Sequence, residues 1–256
     1  MNHEKELVVS QFGSNAKNYV KSKGHSKGAD LAFLTEVAAD YAGEKALDIA
    51  TGGGHVANKL AGLFGEVVAF DLTPQMLLYA EEFIKSNGHE NVSFVQGEAE
   101  KLPFLDEAFN LVTCRIAPHH FTDVQSFVNE SARVLKKDGA FIVVDNVAPE
   151  SDAYDTFYNE VEKKRDSSHK RAYKKTEWFK MLEGAGFTIE LMTRFPKTFL
   201  FDDWCEMMKV PLNDKQELIE KMLRASSELK TFFHIQTDGK SIQSFQAESV
   251  LIVAKK

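Results

Sequence analysis

The chain has 256 residues, 43% hydrophobic and 27% charged, which suits one large α/β domain and excludes a disordered or fibrous sequence. A formal net charge of -7 without a long basic run weighs against a nucleic-acid binder, whose affinity rests on Lys and Arg neutralising phosphates. The N-terminus MNHEKELVVSQFG lacks the basic start and apolar core of a secretory signal, and no apolar stretch approaches the roughly 20 residues that span a bilayer.

From residue 28 to about 146, helical and strand patterns alternate, the signature of βαβ units and a parallel sheet. GADLAFLTEVAADYAG carries Leu31, Leu34, Val37 and Ala38 at amphipathic-helix spacing, with Gly43 as its C-cap. KALDIA (45–50) is a strand leading through a glycine loop into a helix around 55–64. EVVAFD (66–71) is the next strand, followed by a helix with Thr73 as N-cap and Pro74 at N1. NVSFVQ (91–96) and FNLVTCR (109–115) are strands, the second holding Cys114 as a buried free thiol. Cys114 and Cys205 have no CxxC partner, which fits a reducing cytoplasm. A helix over 123–137 stops at Asp138-Gly139, and AFIVVDN (140–146) is a fifth strand.

After Pro149 the rhythm changes. Residues 151–175, charged and aromatic, read as a helical segment folded over the sheet, with the charge run Glu160 to Lys175 as a solvated face. A helix at 176–186 precedes a strand at 187–195, and a second helical stretch covers about 201–230. TFFHIQ, a TDGK turn and SIQSFQAESVLIVAKK then predict a hairpin. The expected fold is a Rossmann-like, doubly wound, mostly parallel sheet with an antiparallel last strand and helical insertions. Residues 1–27 form an N-terminal segment ahead of a single domain over 28–256.

A strand, then Thr51, Gly52, Gly53 and Gly54, then a helix is where open α/β sheets bind nucleotide cofactors. Glycine lets the backbone approach, and the helix start offers free N–H groups. Asp71 ends the second strand, where a carboxylate can accept both ribose hydroxyl protons. Neither feature separates NAD from S-adenosylmethionine. Two others favour S-adenosylmethionine. Asp48 suits a cofactor bearing an ammonium and a sulfonium better than a pyrophosphate. Gly97-Glu98-Ala99 puts an acidic side chain at the next loop of the same edge, within reach of an adenine amino group.

LDIATGGGHVA, VVAFDLTPQML, VQGEAEKLPF, the HHF segment and ARVLKKDGAFIVVD together resemble the ubiquinone/menaquinone-biosynthesis-like methyltransferases, the type 11 methyltransferase domain. The resemblance runs over roughly residues 28 to 147. It implies a seven-stranded sheet and S-adenosyl-L-methionine as cofactor. It sets Asp48 and Gly52 to Gly54 against the methionine part, Asp71 on the ribose, Leu72 on the adenine, and Glu98-Ala99 at the adenine edge. The sequence departs from the family twice. Ala50 stands for the usual first glycine, which implies a backbone without positive φ there, and Glu98 stands for the usual Asp.

Methyl transfer from a sulfonium is an in-line displacement in which the protein orients the acceptor and excludes water. The polar candidates follow the fourth strand: Arg115, His119 and His120. Arg115 reads either as a partner for a cofactor or substrate carboxylate or as a structural ion pair. The histidines read as scaffold or as base, and two of them make no metal site. His55 is expected to be exposed. Phe12 to Tyr19, with His25, reads as a lid over the cofactor, with Tyr19 or His25 reaching the site, or as an ordinary docked terminus. Residues 151–175 and 201–230 are the expected acceptor walls, with Phe157, Tyr158, Trp178, Phe199, Phe201 and Trp204 as either lining or core. The function expected is methyl transfer to a small-molecule, quinone-like acceptor, with no nucleic-acid partner. An NAD-dependent oxidoreductase and a non-catalytic S-adenosylmethionine-binding module are the alternatives.

Overall fold

The computed structural model describes residues 5–13 and 28–256. Residues 5–13 are helical (α1). There follow α2 (Ala29–Ala39), β1 (Lys45–Ile49), α3 (His55–Leu60), β2 (Glu66–Asp71), α4 (Pro74–Ser86), β3 (Val92–Gln96) and β4 (Phe109–Arg115). A short 3-10 turn at Pro118–His120 leads to α5 (Val124–Val134), β5 (Leu135–Ala148), α6 (Asp152–Arg165), β6 (Tyr173–Lys174), α7 (Lys175–Gly184) and β7 (Thr188–Leu200). The remaining elements are α8 (Phe201–Met207), α9 (Leu212–Leu223), α10 (Ser227–Phe232), β8 (Gln236–Thr237) and β9 (Ile242–Lys255).

The main sheet runs β3-β2-β1-β4-β5-β9-β7, with β6 on β5 and β8 on β9 at its margin. Strands β1 to β5 pair in parallel, and β9 lies antiparallel to both β5 and β7. The doubly wound sheet with an antiparallel last strand is therefore as expected. Strands buried on both faces need apolar residues throughout. Leu47, Ile49, Phe70, Cys114 and Phe141 pack on one face with Phe127 and Trp178. Ala46, Val67, Ala69, Ile142 and Val144 pack on the other with Leu34, Leu60 and Ile84. A third core lies in the insertions, where Tyr158, Phe201, Trp204, Leu218, Met222 and Phe233 close over Ile242 and Phe245 of β9.

Several boundaries differ from the sequence reading, each for a local reason. Helix α2 ends at Ala39, with Asp40 and not Gly43 as C-cap. Helix α5 stops at Val134 because Leu135, fully buried, already pairs with Phe109, and the chain turns at Asp138 (φ 63) inside β5. Strand β7 continues to Leu200, since β9 is long enough to pair with it throughout. The expected hairpin shrinks to Gln236–Thr237 against Ile242 and Ser244, because Thr231 and Phe232 complete α10 and Phe233 enters the third core. Thr73 holds the N-cap position of α4, but its hydroxyl makes no capping bond to the helix. The charge run after Glu160 is not simply a solvated face, since Glu162, Asp166, Ser168 and His169 are buried.

Candidate active site

Strand order reverses between β1 and β4, and open α/β sheets bind ligands in the crevice at such a switch point. A cleft of about 1070 Å³, counting space open to solvent at its mouth, lies there. Asp48, Ala50, Thr51, Gly52, Gly53, Asp71, Leu72, Gly97, Glu98, Ala99 and Arg115 all line it. Positions from 48 to 115 of the sequence are thus brought to one edge of the sheet. Gly54 stands behind the loop as N-cap of α3. Tyr19 and His25 lie outside the described residues.

Backbone conformation explains the loop's composition. Gly52 and Gly54 have φ of 53 and 80, and a Cβ on Gly54 would meet Ala80 and Ile84 at 3.0 Å. Only glycine meets both demands. Gly97 is held by a different constraint, since a Cβ there would sit 2.5 Å from the Phe70 ring. Ala50 departs from expectation. Its φ is 54, so the family's glycine is replaced at a position that does need the left-handed region. We expect Ala50→Gly to stabilise the fold by about 0.5–1 kcal/mol, or about 2 °C in Tm, after glycine's greater unfolded freedom is counted. A melting curve that is unchanged or shifted downward would show that the strain is relieved elsewhere. Ile116, at the end of β4, also has a φ of 54 and is held by its N–H bond to the Val144 carbonyl at 2.7 Å. A β-branched residue in that region is strained, as is common at sites where the chain must turn toward a ligand.

Two buried carboxylates organise the loop. Asp48 Oδ2 accepts from Thr51 Oγ1 at 2.6 Å and from the Ala57 N–H at 3.2 Å, and its Oδ1 accepts from Thr113 Oγ1 at 2.8 Å. Burial, reinforced by the nearby Asp71 charge and opposed by these bonds, pushes its carboxyl up to about 6. Asp71 accepts from the Gly52 N–H at 2.9 Å through Oδ2 and from the Thr73 N–H at 2.8 Å through Oδ1. The Thr73 hydroxyl and the Leu72 N–H also favour its charged form. Burial raises the Asp71 pKa, and backbone N–H groups oppose the rise.

The far wall is ionic. Arg115 Nε donates to Asp30 Oδ2 at 2.9 Å with both side chains buried, so the structural ion pair is the reading that the geometry supports. His119 is buried, with Nδ1 at 2.5 Å from Asp145 Oδ1. Burial opposes its charging, but the Asp145 carboxylate wins and raises its pKa. His120 lines the cleft and sits 4.1 Å from the His119 ring, centroid to centroid. Burial, together with the His119 charge, lowers it to about 3. A ring so reluctant to take a proton is a poor general base. His55, expected to be exposed, is buried at 8% and edge-on to Phe83 at 5.1 Å.

Sequence reasoning missed part of the wall. Lys5, Val8 and Phe12 of α1 line the cleft. Lys5 Nζ donates to Glu98 at 2.8 Å and to Glu100 at 3.1 Å, and Phe12 packs edge-on to His120 at 4.9 Å. Their i, i+3, i+7 spacing is the amphipathic signal that could have found them. Glu100, which also accepts from Thr122 Oγ1 at 2.8 Å, is a further wall residue that sequence reasoning missed beside Glu98. None of the cleft lining among the described residues comes from 151–175 or 201–230. Tyr158, Trp178, Phe201 and Trp204 are instead fully buried in the cores, with Phe157 and Phe199 packed against the third. No group of His, Cys, Asp and Glu among the described residues is arranged to hold a metal. No helix among them is long and apolar enough to cross a membrane.

Residues 47–143 match the family model described as a methyltransferase domain. An uncharacterised methyltransferase of Bacillus subtilis, YcgJ, is 36% identical over 94% of this chain and 96% of its own length. A crystal structure of a methyltransferase from Bacillus halodurans superposes with a TM-score of 0.87 at 52% identity, covering 90% of this chain and 99% of that one. The ubiquinone/menaquinone biosynthesis C-methyltransferase of Pseudomonas aeruginosa is 35% identical over 49% of this chain and 52% of its own length.

Proposed function

Because the chain belongs to the class I S-adenosylmethionine-dependent methyltransferases, we propose that its cleft seats the cofactor and that the enzyme methylates a small molecule beside it. The observation that carries the assignment of the seat is Asp71, buried at the end of β2, fixed by the Gly52 and Thr73 N–H groups and lining the cleft. A fixed acceptor of that kind fits the two hydroxyls of a ribose. Gly52 and Gly53 let the backbone approach the methionine part, with Asp48 holding the loop and Thr51 in place. Leu72 packs on the adenine, and Glu98-Ala99 borders its edge. Arg115, tied to Asp30, shapes the wall near the methionine end.

The cofactor supplies an electrophilic methyl group on its sulfonium. The chain's own residues orient the acceptor and keep water out. His120 stays neutral as a wall of the cleft, and His119, bonded to Asp145, anchors the turn behind it. Neither acts as the base. Quinol-like compounds are the first acceptor class to test, supported by the quinone-biosynthesis relative that matches over half its length. The net charge of -7 supports a small acceptor over nucleic acid, and two free buried cysteines support a cytoplasmic setting.

Calorimetric titration with S-adenosylmethionine, S-adenosylhomocysteine and NADH tests the reading. Saturable binding of both adenosyl ligands and none of NADH is expected, followed by transfer of labelled methyl to a quinol in a panel. Binding of NADH alone would sink it.

The segment 1–27 is proposed to act as a lid, supported by the contacts of Lys5 with Glu98 and Glu100. Deleting it is expected to weaken S-adenosylhomocysteine binding about tenfold, or about 1.4 kcal/mol. Unchanged affinity and turnover in the deletion variant would dismiss the lid.

A further inference from the structure

The turn that carries His119 and His120 is clamped from behind by the loop between α6 and β6. The backbone N–H groups of Lys170 and Arg171 both donate to the His119 carbonyl, at 2.8 and 3.1 Å. Lys163 Nζ fixes the loop in turn, donating to the Ser167 and His169 carbonyls at 2.8 Å each. Inside the clamp, three side chains form a chain from Asp166 through Ser168 to His120. Ser168 Oγ donates to Asp166 Oδ1 at 2.6 Å, the Ser168 N–H reaches the same oxygen at 2.8 Å, and both residues are buried. Ser168 Oγ also stands 3.2 Å from His120 Nδ1. A hydroxyl has one hydrogen, and a carboxylate only accepts. Asp166 takes that hydrogen, so Ser168 can only accept from the imidazole, and Nδ1 is the nitrogen that carries a proton. In a neutral ring Nε2 is then the lone-pair acceptor. Nε2 makes no hydrogen bond among the described residues, yet it is not enclosed. The buried side-chain atoms without a partner there are Asp145 Oδ2, Trp178 Nε1, Trp204 Nε1 and Ser249 Oγ. An open acceptor thus stands on a residue that lines the cleft.

We propose that Asp166 and Ser168 hold His120 in the tautomer that offers Nε2 to the cleft as a hydrogen-bond acceptor, and that an uncharged hydroxyl of the methyl acceptor is positioned there. This rests on the methyltransferase reading above and adds to it the group by which the acceptor is held. His120 touches the ligand, and Ser168 and Asp166 are positioning residues that act through it. The lone pair selects a donor. A hydroxyl supplies a hydrogen, an ether has none to give, and a carboxylate or phenolate would set negative charge against the lone pair. Phe12, edge-on to the ring at 4.9 Å, and Ile116, Ala117 and Phe121 of the same lining make the surroundings apolar. Glu98 and Glu100, farther along the wall, are already matched by Lys5. An uncharged hydroxyl is therefore favoured over an ammonium, which would give up its water without a counter-charge. Burial above all keeps the ring from charging, so the hydroxyl is oriented while it keeps its hydrogen.

The test uses proton–nitrogen correlation spectra of the full chain with isotopically labelled histidines, which separate protonated from unprotonated ring nitrogens. Spectra are taken without ligand and with S-adenosylhomocysteine, and the probes are phenol and its methyl ether, anisole. The His120 signals are those lost in His120→Gln. Wild type is expected to carry the His120 proton on Nδ1. Phenol should move the Nε2 resonance and bind about fivefold more tightly than anisole, the size of one neutral hydrogen bond. Ser168 lies outside the cleft lining among the described residues, so Ser168→Ala should bind S-adenosylhomocysteine as wild type does. The variant should move the proton toward Nε2 and lose the preference for phenol. A merely structural Ser168 would lower the melting temperature and leave the tautomer and the preference unchanged. A proton on Nε2 in wild type, an Nε2 resonance that phenol leaves in place, anisole bound as tightly as phenol, or a Ser168→Ala protein with the wild-type tautomer and preference would each overturn the assignment. The first three outcomes are read on wild type, so they decide it even where the Ser168 variant fails to fold. Failure of wild type to bind S-adenosylhomocysteine would instead strike the methyltransferase reading, while the ligand-free spectra with phenol would still decide the role of His120.

Discussion

Replacing Asp71 by alanine is expected to weaken S-adenosylhomocysteine binding by about a hundredfold or more, on the order of 3 kcal/mol, since hydrogen bonds to a charged group contribute about 1.5–3 kcal/mol each. The size follows from two roles on one side chain. Asp71 meets the ligand from the wall of the cleft, and it also holds the Gly52 N–H at 2.9 Å, so that its loss frees the glycine loop as well. Asp71→Asn separates the two. The amide oxygen can keep one backbone partner, but the charge and one acceptor are gone, so an intermediate loss is expected by calorimetry. A melting temperature close to wild type in the Asn variant, together with weakened binding, would assign the loss to ligand contacts. Wild-type affinity in the alanine variant would remove Asp71 from the cofactor seat.

Asp48 should set a pH dependence of stability of similar size. Its carboxyl titrates at about 6 in the fold against the ordinary 3.8 of an aspartate in water, because burial disfavours the anion. Between those pH values the folded protein retains a proton that the unfolded chain has released. The stability contributed by that proton is complete below 3.8 and is lost as pH rises through 6. A gap of about 2 pH units corresponds to about 3 kcal/mol. Asp48→Asn should flatten this window. Its amide oxygen can still accept from Thr51 and the Ala57 N–H, and its NH₂ can donate to a Thr113 hydroxyl, which already reaches the Leu47 carbonyl at 3.4 Å. Urea unfolding at pH about 4.5, 6 and 8 would check this, with the difference between wild type and variant growing toward high pH. Parallel stability curves for the two proteins would show that Asp48 stays ionised in the fold. His119 acts above this window: its raised pKa stabilises below the ordinary histidine value, and that contribution is lost as pH climbs through the folded one.

The parts of the site readable in sequence are those carried by fixed spacings around a strand end. Thr51 to Gly54, Asp71 and Gly97 each follow a strand of the parallel half, so the chain's own order reports their convergence. What stayed hidden comes from elements whose approach no local spacing encodes. Asp30 reaches Arg115 across 85 residues, and Lys5 reaches Glu98 across 93. Ala50 misled for another reason, since its side chain tolerates the left-handed region at modest cost and the residue type conceals its φ. The aromatic residues of the insertions are chemically equal candidates for lining and core, and only packing decides. Tyr158, Phe201 and Trp204 turn inward to a core of their own.

That core has a mechanical consequence through β9. Ile242 and Phe245 at one end of the strand belong to the insertions, whereas Leu251, Ile252 and Val253 at the other end belong to the sheet. A single hydrogen-bonded ribbon therefore splices the insertions to the sheet, and β7 runs beside it for the same length. Local melting of the helices would have to unzip a strand that the sheet is holding, so the two cores should open as one cooperative unit. Backbone amides at Phe245 and Ile252 are then expected to exchange with solvent deuterium at the same limiting rate, set by global opening.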